Sequence, residues 1–211
     1  MKKWATLLAL GMSGVCALHA DTIFSTFGPG NSFFAVGSWT VGTSSDTQIA
    51  ASFVPSHEFT LDEIDFAAFA MSGTQVTVDI ATGASSPELP VESFLVTGVP
   101  ATPTVLTVDS ALHPDLSAGV RYWIVLSSPD VIGWNLNDQG FVGVSMRQDS
   151  DPWVDLGTEV PAPAFAVLGT PVVTTTVPEP SSCLLSAVML IPFAMALRTV
   201  GRWAPRPAQL Q

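Results

Sequence analysis

Val76-Thr77-Val78-Asp79-Ile80 alternates apolar with polar side chains, and a period of two is the mark of a strand with one face buried and the other open. The same beat returns at Ile49, Ala51 and Phe53, at Phe94 and Val96, and at Leu106 and Val108. Further on it recurs at Val120, Tyr122, Ile124 and Leu126, at Ile132, Trp134 and Leu136, at Val142, Val144 and Met146, and at Phe165 and Val167. Turn-forming residues separate these bursts at Gly28-Pro29-Gly30, Met71-Ser72-Gly73, Gly83 to Pro87, Pro100 to Pro103, Ser117-Ala118-Gly119 and Pro161 to Pro163. Between Phe59 and Phe66 the apolar phase slips: Phe59 and Leu61 share one parity, Ile64 and Phe66 the other, which predicts a bulge within one strand. The run from Val120 to Ser127 is apolar on both faces, with Trp123 and Val125 opposing the other row, and should be central. Nothing between residues 21 and 170 has a helical period, so the expectation is an all-β fold, a single β-sandwich of jelly-roll type with eight to ten short strands.

The ends of the 211-residue chain have a different character. Lys2 and Lys3 precede an apolar stretch from Trp4 to Leu18, closed by small residues before the first acid, Asp21. That order predicts a secretory signal peptide over residues 1–20, cut after Ala17 or Ala20, and makes the Sec translocon a partner. A linker over residues 171–180 leads to an apolar run over 181–197, followed by Arg198, Arg202 and Arg206 in a basic tail over 198–211. As a helix the run rises about 25 Å, short but marginally sufficient for a bilayer core of about 30 Å. The arginines beyond it place the C-terminus in the cytoplasm and the main body outside.

Between residues 21 and 176 there are 17 Asp and Glu against two Arg, a net of −15. Such a surface repels nucleic acid and anionic lipid, which excludes nucleic-acid binding. Both cysteines, Cys16 and Cys183, lie in the terminal segments, so the body has no disulfide, no thiolate nucleophile and no cysteine-held zinc.

Several residue groups could carry chemistry. Asp62, Glu63 and Asp65 put three acids on one strand, as a carbohydrate-active enzyme with paired carboxylates would need; strand parity sends Glu63 and Asp65 one way and Asp62 the other. A solvated strand edge that discourages sheet-to-sheet aggregation is the preferred explanation of them. Asp149, Asp151 and Asp155 offer oxygen ligands for weakly bound calcium but lack the glycine and closing glutamate of an EF-hand loop; no other cofactor is expected. Trp134, Asn135, Asn137 and Asp138, with Trp153 as a second platform, could stack on a sugar ring and bond its hydroxyls. Trp134 also keeps step with Ile132 and Leu136, which places it in a core, and Asn137 to Gly140 then reads as a hairpin turn. His57 and His113 read as loop residues, and no nucleophile elbow accompanies them.

The order Val177-Pro178-Glu179-Pro180, apolar span, basic end resembles the PEP-CTERM sorting signal. A plain single-pass anchor would share the span and the arginines but has no need of Pro-Glu-Pro. The resemblance implies recognition of Pro178, Glu179 and Pro180 by an exosortase, a membrane-embedded cysteine transpeptidase, and passage through the inner membrane to the cell surface, outer envelope or extracellular matrix. It further implies a Gram-negative host that makes exopolysaccharide. A second resemblance covers about residues 23–170, through Ile23-Phe24-Ser25-Thr26-Phe27-Gly28-Pro29-Gly30, Phe59-Thr60-Leu61-Asp62 with Ile64-Asp65, Leu116-Ser117-Ala118-Gly119-Val120-Arg121-Tyr122-Trp123 and Ala164-Phe165-Ala166-Val167. These look like choice-of-anchor R domains, which implies a compact β domain displayed outside the cell with no catalytic residues. The expected function is a non-enzymatic structural or adhesive protein of an exopolysaccharide matrix, the alternatives being a sugar-binding module or a secreted enzyme using Asp62, Glu63 or Asp65.

Overall fold

A computed structural model describes residues 20–42 and 46–173. The signal segment, the Pro178-Glu179-Pro180 motif, the 181–197 run and Arg198, Arg202 and Arg206 lie outside the described residues. In chain order the strands are β1 (Asp21–Ser25), β2 (Phe34–Val41), β3 (Gln48–Phe53), β4 (Phe59–Ser72), β5 (Gln75–Thr82), β6 (Leu89–Thr97) and β7 (Thr104–Asp109). They continue with β8 (Asp115–Leu116), β9 (Tyr122–Ser127), β10 (Val131–Leu136), β11 (Ser145–Arg147), β12 (Val154–Asp155) and β13 (Phe165–Pro171). All pairing is antiparallel and falls into two sheets, one of seven strands and one of six, in an all-β, sandwich-like fold.

The seven-stranded sheet runs β1-β13-β4-β10-β2, with β7 and β8 also on β4. The six-stranded sheet runs β12-β11-β3-β9-β5-β6. Apart from short β8, the strands from β2 to β10 pair from the outside inward: β2 with β10, β3 with β9, β4 with β7, β5 with β6. Alternation in both sheets builds the core. Val76, Val78 and Ile80 of β5 and Ile49, Ala51 and Phe53 of β3 point inward from one sheet, while Leu61, Ile64, Phe66, Ile132, Trp134, Phe165 and Val167 answer from the other. Phe53 joins the layers, its ring 5.9 Å from that of Phe24, 6.5 Å from Phe165 and 5.8 Å from Tyr122. β9 is central, flanked by β3 and β5, and buried along nearly its whole length.

The phase slip in β4 is a bulge at Asp62: Leu168 of β13 faces Glu63, the next residue Gly169 faces Leu61, and Asp62 is the extra one. Its effect on parity corrects the sequence expectation. Leu61 and Ile64 are both fully buried, so Asp62 and Glu63 both stay outside the core instead of pointing opposite ways.

Other elements depart from the alternation. Val142 and Val144 form no strand; only Ser145–Arg147 does, and Val142 makes an isolated bridge to Pro161. Asn137 to Gly140 is a turn, but its flanks bridge to Pro163 and Pro161 and not to each other, so it closes no hairpin. β2 escaped the apolar pattern because its first residues, Phe34, Ala35 and Val36, are exposed. At the far end, β13 continues through Pro171 and the Val172 N–H donates to the Glu58 carbonyl at 2.9 Å.

Candidate functional site

The outward face of the six-stranded sheet has its own build. In β3, β9 and β5 the residues that turn away from the core are Gln48, Ala50 and Ser52, then Trp123 and Val125, then Thr77, Asp79 and Ala81. Register sets them in rows across the sheet: Asp155, Ser145, Ala50, Val125 and Asp79 in one, Ser52, Trp123 and Ala81 in the next. Small side chains at Ala50, Ser52, Ala81 and Ser145 leave a depression between larger ones. Ala50, Ala81, Trp123 and Val125 are nevertheless buried and form an apolar cluster joined by Trp153 from the loop before β12. The loop after β5 closes the other side, where the Gly83 carbonyl accepts the Trp123 indole N–H at 2.8 Å and the Ala84 carbonyl accepts Arg121 Nη1 at 3.1 Å.

Two hollows result. The larger, about 150 Å³, is lined by Gln48, Asp79, Glu88, Val125, Arg147 and Trp153 among others. The smaller, about 100 Å³, is lined by Ser52, Arg121, Trp123, Ser145, Asp155 and Thr158 among others. Arg147 stands directly opposite Gln48 in register, donates from Nε to Gln48 Oε1 at 2.9 Å, and lays its guanidinium 4.9 Å over the Trp153 ring. Both arginines of the body thus line this one face.

The sugar-contact residues marked in the sequence do not assemble. Trp134 is fully buried in the core, donating its indole N–H to the Ala164 carbonyl at 3.1 Å, and has no surface to offer a ring. Asn135, equally buried, turns Nδ2 toward the carbonyls of Phe34, Ala35 and Gly37, where β2 shifts register. Asn137 is an internal brace: Nδ2 donates to the Ala162 carbonyl at 2.6 Å and Oδ1 accepts the Phe141 N–H at 2.9 Å. Asp138 is exposed, with Gln139 and Ser32 hydrogen bonds holding its carboxyl below the usual aspartate range. Trp153 lines the larger hollow, on the opposite sheet from Trp134. Sequence reasoning missed its neighbours Gln48, Asp79, Glu88 and Arg147, whose only signal is that the two arginines are rare in so acidic a body.

The acids of β4 lie on the outer side of the seven-stranded sheet. Glu63 is paired in register with Asp109 of β7, and its carboxyl is pushed up, first by burial, then by the charges of Asp65 and Asp109. Asp65 accepts a short hydrogen bond from the Thr107 hydroxyl, and Asp62 Oδ2 accepts one from Thr170 at 2.7 Å. Asp62 also stands 3.6 Å from His113 Nδ1, which meets the Leu61 carbonyl at 3.1 Å. His57 contacts its neighbour Ser56 at 2.9 Å on an exposed turn. Asp149, Asp151 and Asp155 do not converge: Asp155 Oδ1 accepts the Gly157 N–H at 2.9 Å, and among the described residues no three His, Cys, Asp or Glu side chains are placed to hold a metal. No protein-family model matches the chain, and no curated protein matches it significantly.

Proposed function

We propose that this chain is an exported, non-enzymatic β-sandwich protein, sorted through its C-terminal Pro178-Glu179-Pro180 signal and serving as a structural or adhesive component of an exopolysaccharide matrix. The observation that carries the reading is the order of the tail: a proline-stiffened acidic motif, an apolar span at residues 181–197, then Arg198, Arg202 and Arg206. An exosortase is the implied processing partner, the inner membrane an intermediate station, and the cell surface or matrix the destination. The domain is a jelly roll in this reading, supported by the outside-in pairing of β2 to β10 and the two orders β2-β10-β4-β7 and β3-β9-β5-β6.

An enzymatic role finds less support in the acids of β4. Glycosidases set two carboxyl groups on opposite sides of the scissile bond, whereas Glu63 and Asp65 sit at alternate positions of one strand, with Asp65 engaged by Thr107. Two experiments test the proposal. Intact mass of the protein from an exosortase-bearing host is expected to show loss of the residues beyond Pro180, with Glu179→Ala slowing the trimming and leaving export unchanged; retention of residues 181–211 would make the tail a plain anchor. Release of reducing ends from polysaccharide, abolished by Glu63→Gln, would make the protein an enzyme.

A further inference from the structure

We propose that the larger hollow on the outer face of the six-stranded sheet is a binding site for an uncharged sugar ring, with the smaller hollow beside it receiving the next part of the same glycan. The inference rests on the matrix reading only for where the sugar comes from. Its physical basis is the mixture of groups around one small space. Each sugar hydroxyl is both donor and acceptor, so a site that holds it well supplies both kinds of partner. Asp79 and Glu88 supply acceptors, Gln48 supplies both, and Arg147 supplies donors.

Arg147 is held ready for this. Gln48 takes its Nε–H and the Trp153 ring lies 4.9 Å from its guanidinium carbon, which holds the fork while leaving the other guanidinium donors for a ligand. Among the described residues neither Arg147 nor Arg121 forms an ion pair, although the body has 17 carboxylates; the ion pair described is His113 with Asp62. Arg147 shares its cleft with Asp79 and Glu88 without forming an ion pair with either, which leaves its remaining donors open to a ligand.

Charge also decides the ligand. Asp79 and Glu88 share the cleft with Arg147, and Asp155 shares the smaller hollow with Arg121, so a phosphate or uronate would meet carboxylates at both places. A neutral ring meets no such repulsion, and its C–H face can lie against Val125, Ala81 and Trp153. A volume of about 150 Å³ is small beside the roughly 300–1,000 Å³ of sites for drug-sized ligands, which suits one ring and not a large cofactor. Val125 lines the larger hollow and Trp123 the smaller, two residues apart on β9, or about 7 Å. A glycan running along β9 would therefore fill both.

The test is calorimetric titration of the full chain, in a detergent without a sugar headgroup, with neutral tetrasaccharides of glucose, mannose and galactose in α- and β-linked forms and a tetra-uronate as the anionic control. At least one neutral tetrasaccharide is expected to bind, and more tightly than its monosaccharide. Arg147→Ala and Glu88→Gln should each weaken it by about tenfold or more, while Asp109→Asn on the other sheet leaves it unchanged. Melting curves establish that each variant is folded; Glu88→Gln, which removes only charge, keeps the question answerable if Arg147→Ala does not fold. No binding by any neutral tetrasaccharide, tighter binding of the uronate, or wild-type affinity in the folded variants would each overturn the site. Failure of tail trimming in the mass experiment bears on sorting and leaves this result untouched.

Discussion

Trp134 and Trp153 show how burial, not residue type, assigns a role. Trp134 is sealed in the core with its N–H satisfied by Ala164 and its ring 6.2 Å from that of Phe165. Trp134→Ala should therefore destabilise by about 3–5 kcal/mol, the cost of removing a large aromatic from a packed interior. Trp153→Ala, which gives up a stacked arginine and part of a surface cluster, should cost about 1 kcal/mol. Chemical denaturation of both variants decides this; equal losses would mean that Trp153 is a core residue and not a wall of the cleft. Glu92 is a second residue whose place explains its chemistry. From β6 its carboxylate accepts Ser110 Oγ at 2.6 Å and the N–H groups of Ala111 and Leu112 at 2.7 and 3.0 Å, tying down the turn after β7. Burial pushes its pKa up, but these three hydrogen bonds outweigh it and the net shift is below the ordinary value of 4.5. A lowered folded pKa gives stability that is fully present above the ordinary value and is lost as pH falls through the lowered one. Glu92→Gln should thus cost about 1.5–3 kcal/mol at pH 7, with the gap to wild type closing as the pH drops below 4.5; a gap independent of pH would show that the charge contributes nothing.

β4 concentrates the features that the sequence both revealed and hid. Its bulge was legible because Phe59 and Leu61 fall out of step with Ile64 and Phe66, and the core accepts all four. What the bulge does to its neighbours was not legible, since that depends on β13, whose pairing with β4 spans about a hundred residues of chain. Next to the bulge, facing Leu61, lies Gly169, where an added Cβ would come within 2.3 Å of the Thr60 carbonyl oxygen. Backbone cannot step aside as a side-chain tip can, so Gly169→Ala should destabilise by about 1–3 kcal/mol, seen as a lower urea midpoint at unchanged slope; an unshifted midpoint would mean that β13 moves freely against the bulge. The bulge also leaves Asp62 and Glu63 both outside the core, beside Asp65, with Asp109 directly across from Glu63. Like charges facing each other across a ladder oppose pairing, and the Glu63 carboxyl is raised first by burial and then by the charges of Asp65 and Asp109. Because its folded pKa is raised, the wild type loses stability as pH climbs from the ordinary glutamate value through the raised one. Glu63→Gln should therefore raise the melting temperature at pH 7, by about 1–2 °C for a body of this size, and have no effect near pH 3; a lower melting temperature at pH 7 would refute the repulsion.

Across the whole molecule, alternation in single strands was enough to read an all-β body, but not the sheet in which each strand lies or which outward faces meet. Gln48 and Arg147 are about a hundred residues apart in sequence and become neighbours only through the β3–β11 register. The Trp134-Asn135 stretch looked suited to sugar because the sequence shows an indole beside an amide without showing that both are enclosed. Charge, by contrast, needs no register to read. Between residues 21 and 176 the net charge is −15, and among the described residues the ion pair present is His113 with Asp62 at 3.6 Å. Folding draws these carboxylates together, so the folded state carries more self-repulsion than the extended chain. At about 10 mM salt the screening length is near 30 Å and the repulsion acts across most of the body; at about 0.15 M it is near 8 Å and only close neighbours feel it. With so few ion pairs to weaken, added salt relieves repulsion and removes little attraction. Raising NaCl from about 10 mM to 0.5 M at pH 7 should therefore raise the melting temperature by about 2–4 °C, the shift given by about 1 kcal/mol in a body of this size. Most of that gain should arrive below about 0.2 M, where the screening length changes fastest, and sucrose at equal osmolality should not reproduce that early rise. A melting temperature that falls with NaCl would mean that attractive pairs outweigh the repulsion of the acidic surface.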